Sequence, residues 1–370
     1  MAKVTAEEAM SMAIEEGFRG LGFVSPNPAV GCAILSAEDE LIGLGYHKKY
    51  GEAHAEVNAL NSVTEASKLK GAKVFVSLEP CAHEGKTPSC AKALAKLPIA
   101  EVHYALEDPN PLVAGKGLEI LRQAGIRVIH NQADNHRAEA LAEVFFTNMK
   151  QNRCFLALKV ATSLDGQMAL ENGQSQWITG EKARAAVQVL RGHYDAVMVG
   201  VDTFLTDNPR LDSRAESFSS KTNYAIVIDR TGRGLASLQA SNLLKPRPSE
   251  KVIWVTDSPE VSRFQVSALT GCFDPDGKLL LQKLTEALYQ HHKISSVMVE
   301  GGRKLFAAMM TSDLCDRVYL FQSNKIIGRG RQWSSEIEVS NLDQSFKLSG
   351  VDRVELGDDQ LITGRLRVST

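Results

Sequence analysis

The sequence has little net charge, few cysteines, few aromatic residues and no long apolar run. Its 42 Lys and Arg balance 44 Asp and Glu, so the formal net charge of −2 provides no general attraction to a polyanion. Nucleic acid is therefore not the expected partner. No stretch approaches the length of a membrane span, and the N-terminus carries acidic residues where a signal peptide would be apolar. We therefore expect no membrane association and a cytoplasmic location.

Six cysteines are too few for a disulfide framework in a chain of 370 residues. In a reducing compartment, a pair of cysteines close to a histidine is more typical of a metal site. A composition of 44% hydrophobic and 23% charged residues is that of a soluble globular protein. The length predicts about two domains.

Short apolar runs alternate with helical patterns in both halves, which predicts an α/β fold. A capping box at Thr5 to Glu8 opens the first helix. In the first half we predict strands at 31–35, 41–45, 73–77, 101–106 and 126–129, and helices near 55–63, 89–97 and 116–123. In the second half we predict strands at 155–160, 196–200, 225–229, 251–256, 296–300 and 317–321, helices near 181–191, 277–291 and 303–311, and antiparallel strands over 346–368. A helix over 134–150 leads out of the first unit, and we place the domain boundary between 148 and 149.

The most informative motif combines His54, Glu56, Cys81 after a proline, and Cys90. One imidazole and two thiolates make a three-ligand zinc site with a fourth position left for water, which is typical of a catalytic zinc. Zinc lowers the pKa of bound water to roughly 7, and a carboxylate beside it can transfer the protons of a hydrolytic deamination. Glu56 is the candidate for that role, because H-x-E followed by P-C is the pattern of nucleobase deaminases.

Two other readings of the motif remain open. A structural zinc module would need a fourth protein ligand, for which His83 is the only close candidate. A nucleic-acid-editing deaminase would need a basic channel lined with aromatic residues, and neither the net charge of −2 nor the aromatic content of 6% favours it. The wide spacing between Cys81 and Cys90 also departs from the P-C-x-x-C form of that signature.

Several segments of the first half resemble the deaminase half of the bifunctional riboflavin-biosynthesis deaminase/reductase family, to which the wide thiol spacing also belongs. They are Pro26 to Gly31, Gly45 to His47, His54 to Glu56, Leu78 to Cys81, Gly85 to Pro88 and Asp108 to Pro111. The resemblance implies a cytidine-deaminase-like three-layer α/β/α domain that removes the 2-amino group of a diaminohydroxy-phosphoribosylaminopyrimidine. It places five residues on the substrate: Asn27, His47, Lys86, Asp108 and Asn110. Lys86 would meet the need of the 5′-phosphate for a cation.

The second half has no G-x-G-x-x-G after a strand, so the Rossmann fingerprint is absent. An apolar run that ends in Gly301-Gly302 and leads into Arg303-Lys304 instead predicts a strand, bare backbone amides and two cations suited to a pyrophosphate. The alternative is a tight turn without a ligand, which two glycines between a strand and a helix also form.

Four segments of the second half resemble the reductase half of the same family, which is similar to dihydrofolate reductase in fold: 159–166, 175–179, 200–203 and 206–211. By this resemblance the NADPH site would be lined by Ala161, Trp177, Thr203, Asp207, Gly302, Arg303, Lys304, Leu305 and Phe306. The phosphorylated substrate would be held by Ser175, Arg191, Leu211, Arg214 and Glu300. Arg191 and Arg214 are the natural phosphate partners, because a guanidinium binds phosphate through two hydrogen bonds.

The two halves together predict one enzyme with two consecutive active sites. Residues 1–148 would form a zinc-dependent pyrimidine deaminase domain, and residues 149–370 a dihydrofolate-reductase-like, NADPH-dependent α/β domain that reduces a ribosyl group to ribityl. We expect small-molecule substrates and a homo-oligomer.

Overall fold

The computed structural model describes residues 3–83, 88–110 and 114–367, without the side chain of residue 367. The chain divides into two compact units, Met1–Asn152 and Arg153–Thr370. The predicted boundary between 148 and 149 falls inside the helix Asn135–Gln151, which belongs wholly to unit 1. None of the described helices combines the length and the apolar character that a membrane-spanning helix needs.

Unit 1 is built on one mixed sheet. Its strands are β1 (Gly31–Leu35), β2 (Leu41–Tyr46), β3 (Lys73–Val76), β4 (Glu101–Tyr104) and β5 (Arg127–His130). The strand order is β2-β1-β3-β4-β5, in which β1 is antiparallel to both neighbours and β3, β4 and β5 run parallel. The carboxyl ends of these three parallel strands therefore meet at one edge, where ligands of open α/β sheets bind.

Helices cover both faces of this sheet. They are α1 (Ala6–Phe18), α2 (Ala55–Asn61), α3 (Cys90–Leu94), α4 (Lys116–Gln123) and α5 (Asn135–Gln151). Alternate residues of β1 point to opposite cores: Ala33 and Leu35 pack with α1 and α5, whereas Cys32 and Ile34 pack with α2, α3 and α4. The predicted three-layer α/β/α arrangement is thereby confirmed.

The first helix begins and packs as its sequence predicts. The Thr5 hydroxyl accepts a hydrogen bond from the Glu8 backbone amide at 3.2 Å, and the Glu8 carboxylate accepts one from the Thr5 amide at 2.8 Å. This is the expected capping box. At Gly31 the helix lies so close to β1 that an added Cβ would overlap the carbonyl oxygen of Ala13. The glycine is therefore required by the close approach of two backbones.

Unit 2 is also built on one large sheet. Its strands are β6 (Phe155–Thr162), β8 (Ala196–Gly200), β9 (Tyr224–Ile228), β10 (Val252–Val255), β11 (Ser267–Leu269), β12 (Ser296–Gly301), β13 (Arg317–Gln322), β15 (Lys347–Leu356) and β16 (Asp359–Arg367). The order is β11-β10-β9-β8-β12-β6-β13-β16-β15. The strands from β11 to β13 are parallel, and the β15–β16 hairpin adds antiparallel strands. Two further strands, β7 (Gln167–Leu170) and β14 (Gly330–Gln332), pair with each other.

The helices of unit 2 are α6 (Glu181–His193), α7 (Val201–Asp207), α8 (Leu281–His292) and α9 (Arg303–Thr311). The main core lies between α8, α9 and the central strands, and includes Leu158, Val299 and Phe306. Helix α6 packs through Ala183 and Val187 against Phe321, which belongs to a separate apolar cluster. The sheet and its helices confirm the predicted α/β class of the second half.

Candidate active sites

Three side chains from separate segments of unit 1 converge on one point. His54 is the residue before α2, Cys81 follows β3, and Cys90 is the first residue of α3. The His54 Nδ1 atom lies 3.6 Å from the Cys81 Sγ atom and 3.4 Å from the Cys90 Sγ atom, and all three ligand atoms lie within 4.8 Å of one another. The three metal ligands predicted from the sequence are therefore close together.

The spacing of these atoms fits zinc. A tetrahedral ion with one nitrogen ligand at about 2.1 Å and one sulfur ligand at about 2.3 Å separates the two by about 3.6 Å. Among the described residues the cluster holds these three ligands alone, and His83 is exposed and lies outside it. Three protein ligands leave one coordination position open, as a catalytic zinc requires.

A carboxylate and the two thiols determine the electrostatics of this cluster. Glu56 lies in the first turn of α2 and is 4% exposed. Burial, together with the charge of Cys81, raises its pKa. The hydrogen bond from Cys90 lowers the pKa of Cys81 to about 4, while the same interaction and burial raise the pKa of Cys90. A buried carboxyl beside a metal site is suited to accept a proton and release it again.

Asn27 and His47 lie beside the metal ligands and bind each other. The Nδ1 atom of His47 is 3.1 Å from the Ala53 carbonyl oxygen, which can only accept, so this nitrogen carries the proton. Its Nε2 atom, 3.3 Å from Asn27 Nδ2, is then the acceptor. Burial lowers the pKa of His47, which favours this neutral form. Asn27 therefore donates its amide hydrogen to His47, and its role as a substrate residue stays a prediction.

The other predicted substrate residues follow β4. Asp108 accepts a hydrogen bond from the Asn110 backbone amide at 2.8 Å, and burial raises the pKa of Asp108. Lys86 lies outside the described residues. No role was predicted for Glu79, yet its carboxylate accepts hydrogen bonds from the backbone amides of Asp108, Gly115 and Gly117 at 3.0 to 3.3 Å. Its position directly before the Pro80-Cys81 motif was the available signal.

Unit 2 contains a cavity of about 710 Å³. Ten residues predicted from the family resemblance line it: Ala161, Ser175, Trp177, Arg191, Thr203, Asp207, Leu211, Arg214, Glu300 and Phe306. Gly302, Arg303, Lys304 and Leu305 are not among the lining residues, and Arg303 instead donates a hydrogen bond to the Ser335 hydroxyl at 3.0 Å. The cavity is therefore lined by residues predicted to contact the cofactor and by residues predicted to contact the substrate. The start of α9 does not line it.

Two of the predicted substrate residues are paired with each other inside this cavity. The guanidinium of Arg191 donates from Nε and Nη2 to the two carboxylate oxygens of Glu300 at 2.6 and 2.7 Å. Burial alone would raise the pKa of Glu300, but the charge of Arg191 outweighs it and lowers that pKa to about 2. Lys159 also lines the cavity, where burial lowers its pKa against the opposing charge of Glu300. No role was predicted for Lys159 from the sequence.

The more exposed cations of the cavity are Arg210 and Arg214. Their side chains are 42% and 52% exposed, and both bind Asp212, at 2.8 and 3.2 Å respectively. All three arginines are paired with carboxylates, but Arg191 is only 13% exposed, so Arg210 and Arg214 are better placed to meet an anionic group from solvent. Arg210 lies in the family-like segment 206–211, but no role was predicted for it.

Comparisons with known proteins agree with this division of the chain. Residues 3–106 match the cytidine and deoxycytidylate deaminase zinc-binding region, and residues 154–358 match the RibD C-terminal domain. The riboflavin biosynthesis protein RibD of Actinobacillus pleuropneumoniae is 36% identical over 97% of this chain and 95% of its own length. The Escherichia coli RibD is 36% identical over 87% of this chain and 88% of its own.

Solved structures show the same relationship. Acinetobacter baumannii RibD superposes with a TM-score of 0.82 at 34% identity and covers 98% of both chains. A Thermotoga maritima protein described as a diaminohydroxyphosphoribosylaminopyrimidine deaminase/5-amino-6-(5-phosphoribosylamino)uracil reductase gives the same TM-score, identity and coverage. The predicted family is confirmed: this chain belongs to the RibD family, the bifunctional deaminase/reductases of riboflavin biosynthesis.

Proposed function

We propose that unit 1 removes the 2-amino group of 2,5-diamino-6-(5-phosphoribosylamino)pyrimidin-4-one, and that unit 2 then reduces the ribosyl group of the product to a ribityl group with NADPH. The substrate assignment is supported by the description of the Thermotoga maritima relative. The observation that carries the proposal is the cluster of His54, Cys81 and Cys90 beside the buried carboxyl of Glu56 in unit 1, accompanied by a separate ligand-sized cavity in unit 2.

In unit 1, His54, Cys81 and Cys90 would hold zinc. When bound, the ion lowers the pKa of a water molecule to roughly 7 and so supplies the nucleophile. Glu56 would take one proton of that water and deliver it to the ring nitrogen as the hydroxyl adds to the ring carbon, and would then transfer the second proton from that hydroxyl to the departing amine. The carbon–nitrogen bond breaks as the carbonyl forms, so that water is consumed and ammonia released. Asn27, held by His47, would accept a hydrogen bond from the pyrimidine.

In unit 2, the cavity would hold the phosphoribosyl product beside the cofactor. NADPH supplies the hydride that reduces C1 of the opened ribose. Arg210 and Arg214 would bind the phosphate, and the pairing of Arg191 with Glu300 would fix the floor of the cavity. Trp177 and Thr203 would contact the cofactor, and the Gly302 turn is proposed as a further cofactor contact on the strength of its strand-glycine-helix pattern.

A small-molecule substrate is favoured over nucleic acid by the size of this cavity. Its volume of about 710 Å³ lies within the roughly 300–1,000 Å³ usual for small-molecule sites. The cytoplasmic location and the homo-oligomeric state stay predictions.

The test is incubation with the diaminopyrimidine, with and without NADPH, while ammonia release and cofactor oxidation are followed separately. Ammonia should appear without NADPH, and cofactor oxidation should require the deaminated product. A zinc chelator should stop ammonia release yet leave reduction of pre-deaminated substrate nearly intact, because the described ligand cluster lies in unit 1. Parallel loss of both activities without unfolding would contradict this division of labour.

A further inference from the structure

Trp177 is unusually exposed for a tryptophan that lines a cavity. It is 63% exposed, whereas Trp254 is fully buried and Trp333 packs against the main core of unit 2. One face of its indole is covered by the guanidinium of Arg184, whose Cζ atom lies 4.7 Å from the ring centroid. Such stacking is favourable for a cation over an aromatic ring. Trp177 and Arg184 both line the cavity, and the indole stays 63% exposed although Arg184 covers one of its faces.

Arg184 is itself fixed in place. It projects from α6, and its Nη1 atom donates a hydrogen bond to the Thr179 carbonyl oxygen at 2.8 Å. One guanidinium thus stacks on residue 177 and hydrogen-bonds to residue 179 of the same loop. A planar group with several donors suits this double contact, which a lysine ammonium cannot reproduce.

The backbone of this loop has other supports. Lys325 donates to the Trp177 carbonyl oxygen at 2.8 Å, and Asp359 accepts from the Gly180 amide at 2.6 Å. The segment that carries Lys325 is held in turn by Asp165, which accepts from the backbone amides of residues 327 and 328 at 3.1 and 2.7 Å. Because these contacts support the main chain in addition to the Arg184–Thr179 hydrogen bond, the contribution that Arg184 alone makes is the stacking on the indole.

We propose that Arg184 is a positioning residue of the reductase: it holds the Trp177 indole in one orientation, so that the free face is ready to stack on a planar ring of NADPH. This inference rests on the proposed cofactor role of Trp177. An indole that is already ordered loses less side-chain entropy on binding, and ordering one such side chain changes a dissociation constant by about three- to tenfold. Arg184 acts through Trp177 and not through direct contact with the cofactor.

A double-mutant cycle tests the proposal. Arg184→Ala should raise the NADPH dissociation constant about three- to tenfold, measured through the fluorescence of the cofactor. The same change in a Trp177→Ala background should have no further effect. Lys182→Ala, which removes a cation from the same helix outside the cavity, is the matched control and should leave the affinity unchanged. Urea unfolding followed through the remaining tryptophans, all of which lie in unit 2, shows that unit 2 of each variant is folded.

A second measurement is independent of the cofactor. Without NADPH, Arg184→Ala should increase the mobility of the exposed tryptophan, seen as lower fluorescence anisotropy and stronger acrylamide quenching. Arg184→Lys keeps the charge and the fold, and should show the same increase because the planar stacking is lost. Steady-state kinetics should show a higher KM for NADPH with kcat nearly unchanged.

The outcomes distinguish failure of the Arg184 positioning role from failure of the proposed contact between Trp177 and NADPH. If Arg184→Ala weakens NADPH binding equally in both backgrounds, Arg184 contacts the cofactor directly and the positioning role is wrong. Unchanged tryptophan mobility in both Arg184 variants would also overturn it. If Trp177→Ala leaves NADPH affinity unchanged, the proposed cofactor contact itself fails, whatever the mobility measurement shows.

Discussion

Replacement of Glu300 by glutamine should destabilise unit 2 strongly, because it breaks a buried ion pair. The side chains of Arg191 and Glu300 are only 13% and 8% exposed, and they are joined by two hydrogen bonds. Glutamine preserves the size of the side chain but removes its charge. The Arg191 guanidinium then loses the carboxylate that compensates its burial.

The loss of unfolding free energy expected for Glu300→Gln follows from the pKa of Glu300 and from the usual cost of breaking a buried ion pair, and the two values agree. A fall in the pKa of Glu300 from 4.5 to about 2 corresponds to roughly 3 kcal/mol of preference for the ionised form in the folded chain. Removal of one partner of a buried ion pair costs about 3–5 kcal/mol. With a urea dependence of about 3 kcal/mol per molar, at the upper end of the range for small proteins, the midpoint of unfolding should fall by about 1–2 M.

Urea unfolding followed by tryptophan fluorescence measures this for unit 2 alone, since all three tryptophans of the chain lie after residue 152. Glu336→Gln is the matched control. Glu336 lies 3.9 Å from Arg303 with both side chains about 40% exposed, so the loss should stay below about 1 kcal/mol. Equal midpoints for the two variants would refute the reasoning. Arg191→Met combined with Glu300→Leu should recover most of the stability but not the reductase activity.

Three further predictions concern acid stability, proton transfer and packing. Because the pKa of Glu300 is lower in the folded chain than in the unfolded chain, its contribution to the stability of unit 2 is complete above about pH 4.5 and is lost as the pH falls towards 2. The urea midpoint of Glu300→Gln should therefore depend less on pH over this interval than that of the parent. Glu56→Gln should lower deaminase turnover by about 10²–10⁴-fold with unchanged zinc content; a variant that loses zinc would show instead that Glu56 is structural. Gly31→Ala should destabilise unit 1 by more than about 1–3 kcal/mol, because the new Cβ would overlap the Ala13 carbonyl oxygen; ammonia release should fall while the tryptophan-detected midpoint stays unchanged.

Local signals in the sequence predicted many of the regular elements. The structure has β1 at Gly31–Leu35, β8 at Ala196–Gly200, α4 at Lys116–Gln123 and α9 at Arg303–Thr311, which are the predicted bounds. In these segments the hydrophobic period and the flanking turn residues agree with the tertiary structure. The metal ligands were also predictable, because an imidazole and two thiols in a family-like pattern have few other uses.

Elements set by tertiary contacts were not predicted. The helix Val201–Asp207 contains β-branched and aromatic residues that favour strands, and its Phe204 packs edge to face on Trp254 at 5.2 Å, a tertiary contact that the local sequence does not show. The strands β7 and β14 are only four and three residues long and pair across about 160 positions of sequence. No local pattern signals such a pairing.

Within the reductase cavity, the sequence predicted which residues gather but not how they pair. Arg191 was predicted to bind phosphate. Its ion pair with Glu300, which lies 109 positions further along the chain, was not predicted. The Gly302 turn was expected beside the other cofactor residues and is not among the lining residues. The pairing of Arg191 with Glu300 joins α6 to β12, a contact that a linear motif does not contain, and the cofactor role of the Gly302 turn stays a prediction.

The edges of the large sheet in unit 2 bear on how this protein avoids aggregation. Strands that run parallel pair only after long stretches of chain have closed, so their edges stay open to other chains during folding. One edge strand, β11, has only three residues. The other, β15, carries exposed charges at Lys347, Asp352, Arg353 and Glu355, and its register shifts between Ser349 and Asp352. Shortness at one edge, and charge with a bulge at the other, oppose the addition of a foreign strand and keep a slowly assembled sheet from becoming a template for self-association.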